Sequence, residues 1–254
     1  MKFIDKLRRR MDEVKNVLAI GLDTDIERLP EKFSKDSHGM YEFNCMIIES
    51  TKNLACAYKI NSAFYESSGY DGMRTLQKTR DLIGDIPVIY DAKRGDIEST
   101  AKAYAKAAFE LFDFDAITLS PYMGEDALNP FLKYEEKYSF VLCLSSNKSA
   151  DNFEYHGEPP LYSEVAHLVN QKNYESGNCG LVVGATVAGR LAEISKMAPK
   201  SLILIPGIGT QGGDAYAVMH SVDHQKIIVN VSRAIIFADD PVASAMNYSK
   251  ILSF

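Results

Sequence analysis

The feature that most constrains this chain is a repeated alternation. Eight short apolar runs, at 17–23, 54–61, 87–93, 115–120, 139–145, 180–185, 201–206 and 227–232, are separated by longer segments whose apolar residues recur at helical spacing. Each run is short, rich in Val, Ile and Leu, and bounded by polar or turn-forming residues, as strands buried on both faces are. The helical pattern occupies 41–53, 63–83, 97–112, 126–138, 162–174, 187–197 and 214–222, with 241–251 closing the chain. Strands alternating with helices pair in parallel. Eight such units in 254 residues suit an α/β chain closed into one (β/α)8 TIM barrel better than an open doubly wound sheet, since such barrels run to about 250 residues. No Pro/Gly/Ser linker or low-complexity tract divides the chain, so residues 1–254 are expected to form a single domain. Ahead of the first strand, Phe3, Ile4, Leu7, Met11 and Val14 predict an amphipathic helix over 1–15. No continuous apolar core of signal-peptide length follows its Arg8-Arg9-Arg10.

Composition narrows the function classes. Hydrophobic residues make up 46% and charged residues 24%, an ordinary globular balance with material for a large core. The net charge of -6 argues against general nucleic-acid binding, while leaving room for an anionic small substrate if positive charge is gathered locally. Cys45, Cys56, Cys143 and Cys179 form no Cys-x-x-Cys pair and lie among apolar or small residues, which predicts reduced thiols in a cytoplasmic protein and no zinc site. No apolar run approaches the roughly 18 residues of a membrane span.

The stretch Pro87-Val-Ile-Tyr-Asp-Ala-Lys-Arg-Gly-Asp-Ile-Glu-Ser-Thr100 places Asp91, Lys93 and Asp96 where a buried strand gives way to a helix. Strand periodicity points Asp91 and Lys93 to one face, and in a closed interior they must pair or do chemistry. The plain alternative is a structural ion pair, with Asp96 as a helix N-cap. The other strand ends weigh on the choice: Asp23 after the first, Lys59 and Asn61 on the second, Ser145-Ser146-Asn147 after the fifth, Ser232-Arg233 after the eighth. Charge gathered at C-terminal strand ends marks the catalytic face of a barrel. For Asp23 alone a turn or cap role serves as well, since Thr24 and Asp25 follow.

Gly207, Gly209 and Gly212 match the dinucleotide spacing G-x-G-x-x-G, yet where a ribose-binding acid should stand about 20 residues later the chain has Ser232-Arg233. Arginine suits phosphate. The loops after strands seven and eight of a barrel commonly form a phosphate site, here with Gln211 and Arg233 as side-chain donors. A tight strand-to-helix turn is the alternative reading of these glycines. His220 and His224, four apart, have no third ligand in view and read as surface residues.

Asp91-Ala-Lys93-Arg-Gly-Asp96-Ile97 stands with Ala57-Tyr-Lys59-Ile-Asn61-Ser-Ala-Phe-Tyr-Glu66 and Ser120-Pro-Tyr-Met-Gly124. Pro206-Gly-Ile-Gly-Thr-Gln-Gly-Gly-Asp214 and Asn230-Val-Ser-Arg233 complete the set. Together they resemble orotidine 5'-monophosphate decarboxylase, in the bacterial branch that writes its signature Asp-Ala-Lys-Arg-Gly-Asp-Ile. The match runs in order from Gly21 to Arg233.

The resemblance implies a cofactor-free, metal-free loss of CO2 from C6 of orotidine 5'-monophosphate, giving uridine 5'-monophosphate in pyrimidine synthesis. It implies that Lys93 protonates C6, that Asp91 faces the departing carboxylate, and that Lys59 and Asp96 complete an alternating charge network. Asp23 and Lys59 would hold ribose hydroxyls, Ser146 the pyrimidine edge, and Gln211 and Arg233 the phosphate, with Pro206 and Ser232 beside them. Asp96 and Thr100 would come from a partner subunit, which implies a homodimer. Where the branch usually continues Ser-Ser-Asn with Pro-Gly, this chain has Lys148-Ser149, so Ser145 remains the alternative to Ser146. Metal-dependent sugar-phosphate barrels share D-x-K-x-x-D but place a metal-binding carboxylate where this chain has Lys59, and an ammonium there disfavours magnesium. A non-catalytic nucleotide-binding barrel is a third reading, against which the set Lys59, Asp91, Lys93 and Asp96 argues.

Overall fold

The computed structural model describes residues 1–209 and 213–254. In chain order the elements are α1 (Phe3–Val14), β1 (Leu18–Gly21), α2 (Ser37–Thr51), β2 (Ala57–Asn61), α3 (Ser62–Glu66), α4 (Gly69–Ile83), β3 (Val88–Arg94), α5 (Glu98–Lys106), β4 (Ala116–Leu119) and α6 (Asn129–Leu132). They continue as β5 (Tyr138–Leu144), α7 (Leu161–Ser176), β6 (Cys179–Val183), α8 (Ala188–Met197), β7 (Ile203–Ile205), α9 (Ala215–Ser221), β8 (Ile227–Val231), α10 (Arg233–Ile236) and α11 (Pro241–Ile251). The strands close in sequence order into a barrel. Every neighbouring pair is parallel, and β1 meets β8 with Ala19 opposite Asn230. The (β/α)8 expectation holds.

One end of the barrel is sealed by its own sequence. The apolar stripe of α1 buries Phe3, Leu7 and Met11, and the Phe3 ring lies 5.3 Å from that of Tyr138, at the start of β5. Lys6 reaches Asp115, just before β4, at 2.8 Å, and the same carboxylate accepts from the N–H of Val88 at 2.9 Å. Tyr138 donates to Cys179 O at 3.0 Å and accepts from Leu202 N–H at 3.1 Å, tying β5 to the starts of β6 and β7. All these contacts lie at N-terminal strand ends. The C-terminal mouth is therefore the open one.

Several boundaries differ from the periodicity. The pattern over 63–83 is two helices, because the chain turns at Ser67-Ser68 and α4 packs back on α3. Gly72 makes that approach feasible, since a Cβ there would sit 2.0 Å from Tyr65 O. Over 126–138 only a short turn and the four-residue α6 are helical, and Tyr138 belongs to β5. The apolar spacing there reflects Ala127, Leu128, Phe131 and Leu132 packing inward from a compact loop. The pattern over 97–112 is α5 followed by a wider π-type turn at Ala107–Leu111. Asp96 is not the N-cap of α5. That position is Ile97, and Asp96 Oδ1 accepts from the N–H of Ile97 at 2.8 Å.

Candidate active site

The end of β3 is built irregularly. Its register against β4 runs from Tyr90 opposite Ile117 to Arg94 opposite Leu119, so β3 carries extra residues over that interval. Lys93 takes up the excess with φ of 46°, in the left-handed region that a side chain rarely adopts. Its N–H is held by Thr118 Oγ1 at 3.0 Å. Strand alternation predicts a shared face for Asp91 and Lys93, and the two side chains do meet, with Lys93 on a bulge that the alternation does not predict. Backbone strain of this kind gathers at functional positions.

Four charges form an alternating chain across the mouth. Lys59 Nζ lies 3.2 Å from Asp23 Oδ1 and 2.8 Å from Asp91 Oδ2, while Lys93 Nζ lies 2.7 Å from Asp91 Oδ1. Thr118 Oγ1 donates to Asp91 Oδ1 at 2.9 Å. Burial alone would push the Asp91 carboxyl up, but the ammonium groups of Lys59 and Lys93 outweigh it and hold the carboxyl far below the usual carboxylate range. Burial alone would likewise lower Lys59, and the carboxylates of Asp23 and Asp91 reverse that, so its ammonium stays charged. The two lysines differ in access: the Lys59 side chain is 3% exposed and the Lys93 side chain 49%. Lys59 is the buried cation of the chain and Lys93 the exposed one.

Above this chain opens a cavity of about 520 Å³. Its walls include Asp23, Lys59, Asp91, Lys93, Ser146, Pro206, Ser232 and Arg233, eight of the expected residues from six strands and their loops. Asp23, Ser146, Pro206, Ser232 and Arg233 all lie just past the last paired residue of their strands. Ser145 and Ser146 differ in what they touch. Ser145 Oγ is engaged by Asn147 Oδ1 and by Glu154 Oε2. Ser146 Oγ is buried without a hydrogen-bond partner among the described residues, facing Gly184, where a Cβ would stand 2.0 Å from it. Ser232 Oγ donates to Gly21 O at 3.0 Å, so its hydroxyl braces β8 against β1. Gln211 lies outside the described residues.

Asp96 and Thr100 do not line the cavity. Asp96 is half-buried and Thr100 exposed at the start of α5. Among the described residues no group of three or more His, Cys, Asp and Glu side chains is arranged to hold a metal, and His224 stacks on Phe254 at 4.2 Å. No helix of the described residues is long and apolar enough to cross a membrane.

The structure adds residues to which the sequence assigns no role. Thr118 and Asn230 line the cavity from the middle of otherwise apolar strands, and a lone polar residue in a buried run is the same signal that singled out Asp91. Cys143 also lines it, but burial pushes its thiol up to about 12, so it stays protonated and donates to Tyr162 O at 3.3 Å. Lys148, where the resemblance leads to Pro, stands at the cavity wall too.

The sequence model of the orotidine 5'-phosphate decarboxylase / HUMPS family matches residues 17–248. An orotidine 5'-phosphate decarboxylase of Herpetosiphon aurantiacus is 46% identical over 241 residues, covering 93% of this chain and 90% of that protein. Among solved structures, a Leishmania donovani OMP decarboxylase superposes with a TM-score of 0.89 at 38% identity, over 99% of this chain and 98% of that one. A Leishmania donovani UMP synthase gives a TM-score of 0.92 at 39% identity, over 99% of this chain and 56% of that one.

Proposed function

The chain belongs to the orotidine 5'-phosphate decarboxylase / HUMPS family, and from that membership we propose that it is a carbon-carbon lyase converting orotidine 5'-monophosphate to uridine 5'-monophosphate and CO2 without a cofactor. The observation that carries the reading is the alternating chain Asp23, Lys59, Asp91, Lys93 along the cavity wall, with its last cation the more exposed of the two. In the reaction the bond from C6 to the carboxylate carbon breaks, CO2 leaves, and the electron pair stays on C6. No neighbouring carbonyl delocalises that pair well, so a fixed positive charge beside it supplies the stabilisation. Lys93 provides the charge and then its proton, forming the C6–H bond, and is reprotonated from water. Asp91 sits against the departing carboxylate. Its repulsion is relieved as neutral CO2 forms, and its other task is to hold both ammonium groups in place before substrate arrives.

Binding is assigned along the walls. Asp23 and Lys59 take ribose hydroxyls, Ser146 takes the pyrimidine edge, and Arg233 with Gln211 takes the phosphate beside Pro206 and Ser232. The unpartnered Ser146 hydroxyl, beside an already engaged Ser145, favours Ser146 for the base. Asp96 and Thr100 are assigned to the cavity of a second copy, making the working unit a homodimer. Asp96 is absent from its own cavity wall and is followed by an exposed apolar side chain, Ile97 at 44% exposure, while Gly95 packs on Ser120 at the start of a loop whose Tyr122 and Met123 are exposed at 81% and 48%, a surface suited to a matching copy. The pathway assignment is pyrimidine synthesis.

The test is the ultraviolet spectrum of orotidine 5'-monophosphate mixed with the protein in excess chelator. Conversion to the uridine spectrum is expected, with loss of at least 1,000-fold, on the order of what a general acid and its charge together supply, in Lys93→Ala. A folded protein that binds uridine 5'-monophosphate but leaves the substrate unchanged would sink the reading.

A further inference from the structure

Glu154 lies in the loop between β5 and α7, outside the proposed chemistry, yet its carboxylate holds Ser145, the neighbour of the residue assigned to the base. At the end of β5 the backbone leaves its ladder. Leu144 is the last residue paired with β6, β4 has already ended at Leu119, and the N–H of Ser145 has no strand to meet. Glu154 supplies the missing acceptor. Its Oε2 accepts from Ser145 N–H at 2.7 Å and lies 3.0 Å from Ser145 Oγ. A half-buried N–H left without an acceptor is costly, and a charged acceptor makes the stronger bond.

Glu154 is itself held at both backbone ends. Its N–H donates to Ala150 O at 2.8 Å, and its carbonyl accepts from Tyr162 N–H at 2.9 Å. The carbonyl of Tyr162 in turn accepts from Cys143 Sγ at 3.3 Å. The path from Cys143 to Tyr162, Glu154 and Ser145 therefore returns to the strand it left, as a closed ring of contacts around the β5 terminus. Within that ring the Ser145 hydroxyl is occupied, and the peptide leading to Ser146 is fixed. Ser146 Oγ, one residue on, is the hydroxyl left without a partner among the described residues.

We propose that Glu154 is a positioning residue for base recognition: it clamps Ser145 so that Ser146, and not Ser145, presents its hydroxyl to the pyrimidine. The proposal rests on the decarboxylase reading, since it presumes a pyrimidine nucleotide in the cavity. Without the carboxylate the Ser145 N–H is orphaned, its hydroxyl competes for the base, and the Ser146 peptide is free to turn.

The experiment measures affinity for uridine 5'-monophosphate and for ribose 5-phosphate, which lacks the base, in the unaltered protein, Glu154→Ala, Glu154→Gln, Ser146→Ala and the double variant Ser146→Ala/Glu154→Ala. Glu154→Ala is expected to weaken the nucleotide about tenfold, the scale of one hydrogen bond to a well-held group, and to leave ribose 5-phosphate unchanged. Glu154→Gln, which keeps an acceptor oxygen, is expected to restore most of the loss. On the Ser146→Ala background the further change at Glu154 is expected to cost nothing, because the two act through one contact. Equal weakening of both ligands, no weakening of either, failure of Gln to rescue, or an additive double variant would each overturn the proposal. Should Glu154→Ala not fold, Glu154→Asp, which withdraws the carboxylate by one methylene, makes the same comparison. Absence of nucleotide binding by the unaltered protein would instead remove the decarboxylase reading, and this proposal with it.

Discussion

At the scale of single residues the protein turns on one buried carboxylate. Asp91 is 8% exposed and holds two ammonium groups within 2.8 Å, so its ionisation is coupled to folding. Its folded carboxyl lies below the ordinary value of 3.8, and it therefore contributes stability that is present above pH about 4 and lost as pH falls toward the folded value. Lys59 has the opposite sense. It is raised above 10.5, so its contribution is whole below that pH and lost as pH climbs through the folded value. Asp91→Asn is expected to destabilise the protein at pH 7 by about 3–5 kcal/mol, because it strands two cations. The gap to the unaltered protein should narrow from pH 5 to pH 2, where the unfolded carboxyl takes up a proton while the folded one, held lower, stays ionised. Urea unfolding midpoints across that range check it. A gap that stays constant would mean that Asp91 is not ionised in the folded protein.

At the scale of elements, the fold divides stability from chemistry between the two ends of the strands. α1 covers the N-terminal end through Phe3 on Tyr138 and Phe140 and through the partly buried Lys6–Asp115 pair. The cavity occupies the C-terminal end, with the β3 bulge and the loops after β1, β5, β7 and β8 supplying its walls. Phe3→Ala removes a large ring that is 1% exposed, at an expected cost of about 3–5 kcal/mol. Below the unfolding temperature kcat/KM should remain within about twofold of the unaltered value, since additivity holds for distant sites. Chemical denaturation and the decarboxylation assay on the same preparation make the comparison. A large loss of activity at full folding would show that the sealed end is coupled to the mouth.

At the scale of the whole molecule, an acidic chain of net charge -6 gathers Lys59, Lys93, Lys148 and Arg233 around one mouth, which suits a nucleotide that carries both a phosphate and a carboxylate. The proposed exchange of Asp96 and Thr100 makes catalysis a property of two chains. Lys93→Ala and Asp96→Ala, each inactive alone, should recover about a quarter of full activity when mixed and allowed to exchange. Half of random dimers are then mixed, and each mixed dimer carries one intact site of two. Recovery that tracks subunit exchange, followed by light scattering and turnover, is the expected result. No recovery despite proven exchange would mean that Asp96 serves its own chain or none.

The sequence by itself determined the architecture and most of the site. Strand-length apolar runs alternating with helical patterns admit few closed solutions. Asp23, Lys59, Asp91, Lys93, Ser146, Pro206, Ser232 and Arg233 are polar or turn-forming residues at strand ends, where a barrel collects them. What the tertiary structure decided is what depends on neighbours distant in the chain. Periodicity did not reveal the break between α3 and α4, because helical spacing continues across a turn that only packing bends back on itself. Nor did it reveal the bulge at the end of β3, or the difference between Lys59 and Lys93, which share a charge and differ in burial. Glu154 carried no signal at all, since an acid in a polar loop reads as solvated until the loop folds back onto β5. Local pattern fixes which face of an element is buried; only closure of the barrel fixes which side chains meet.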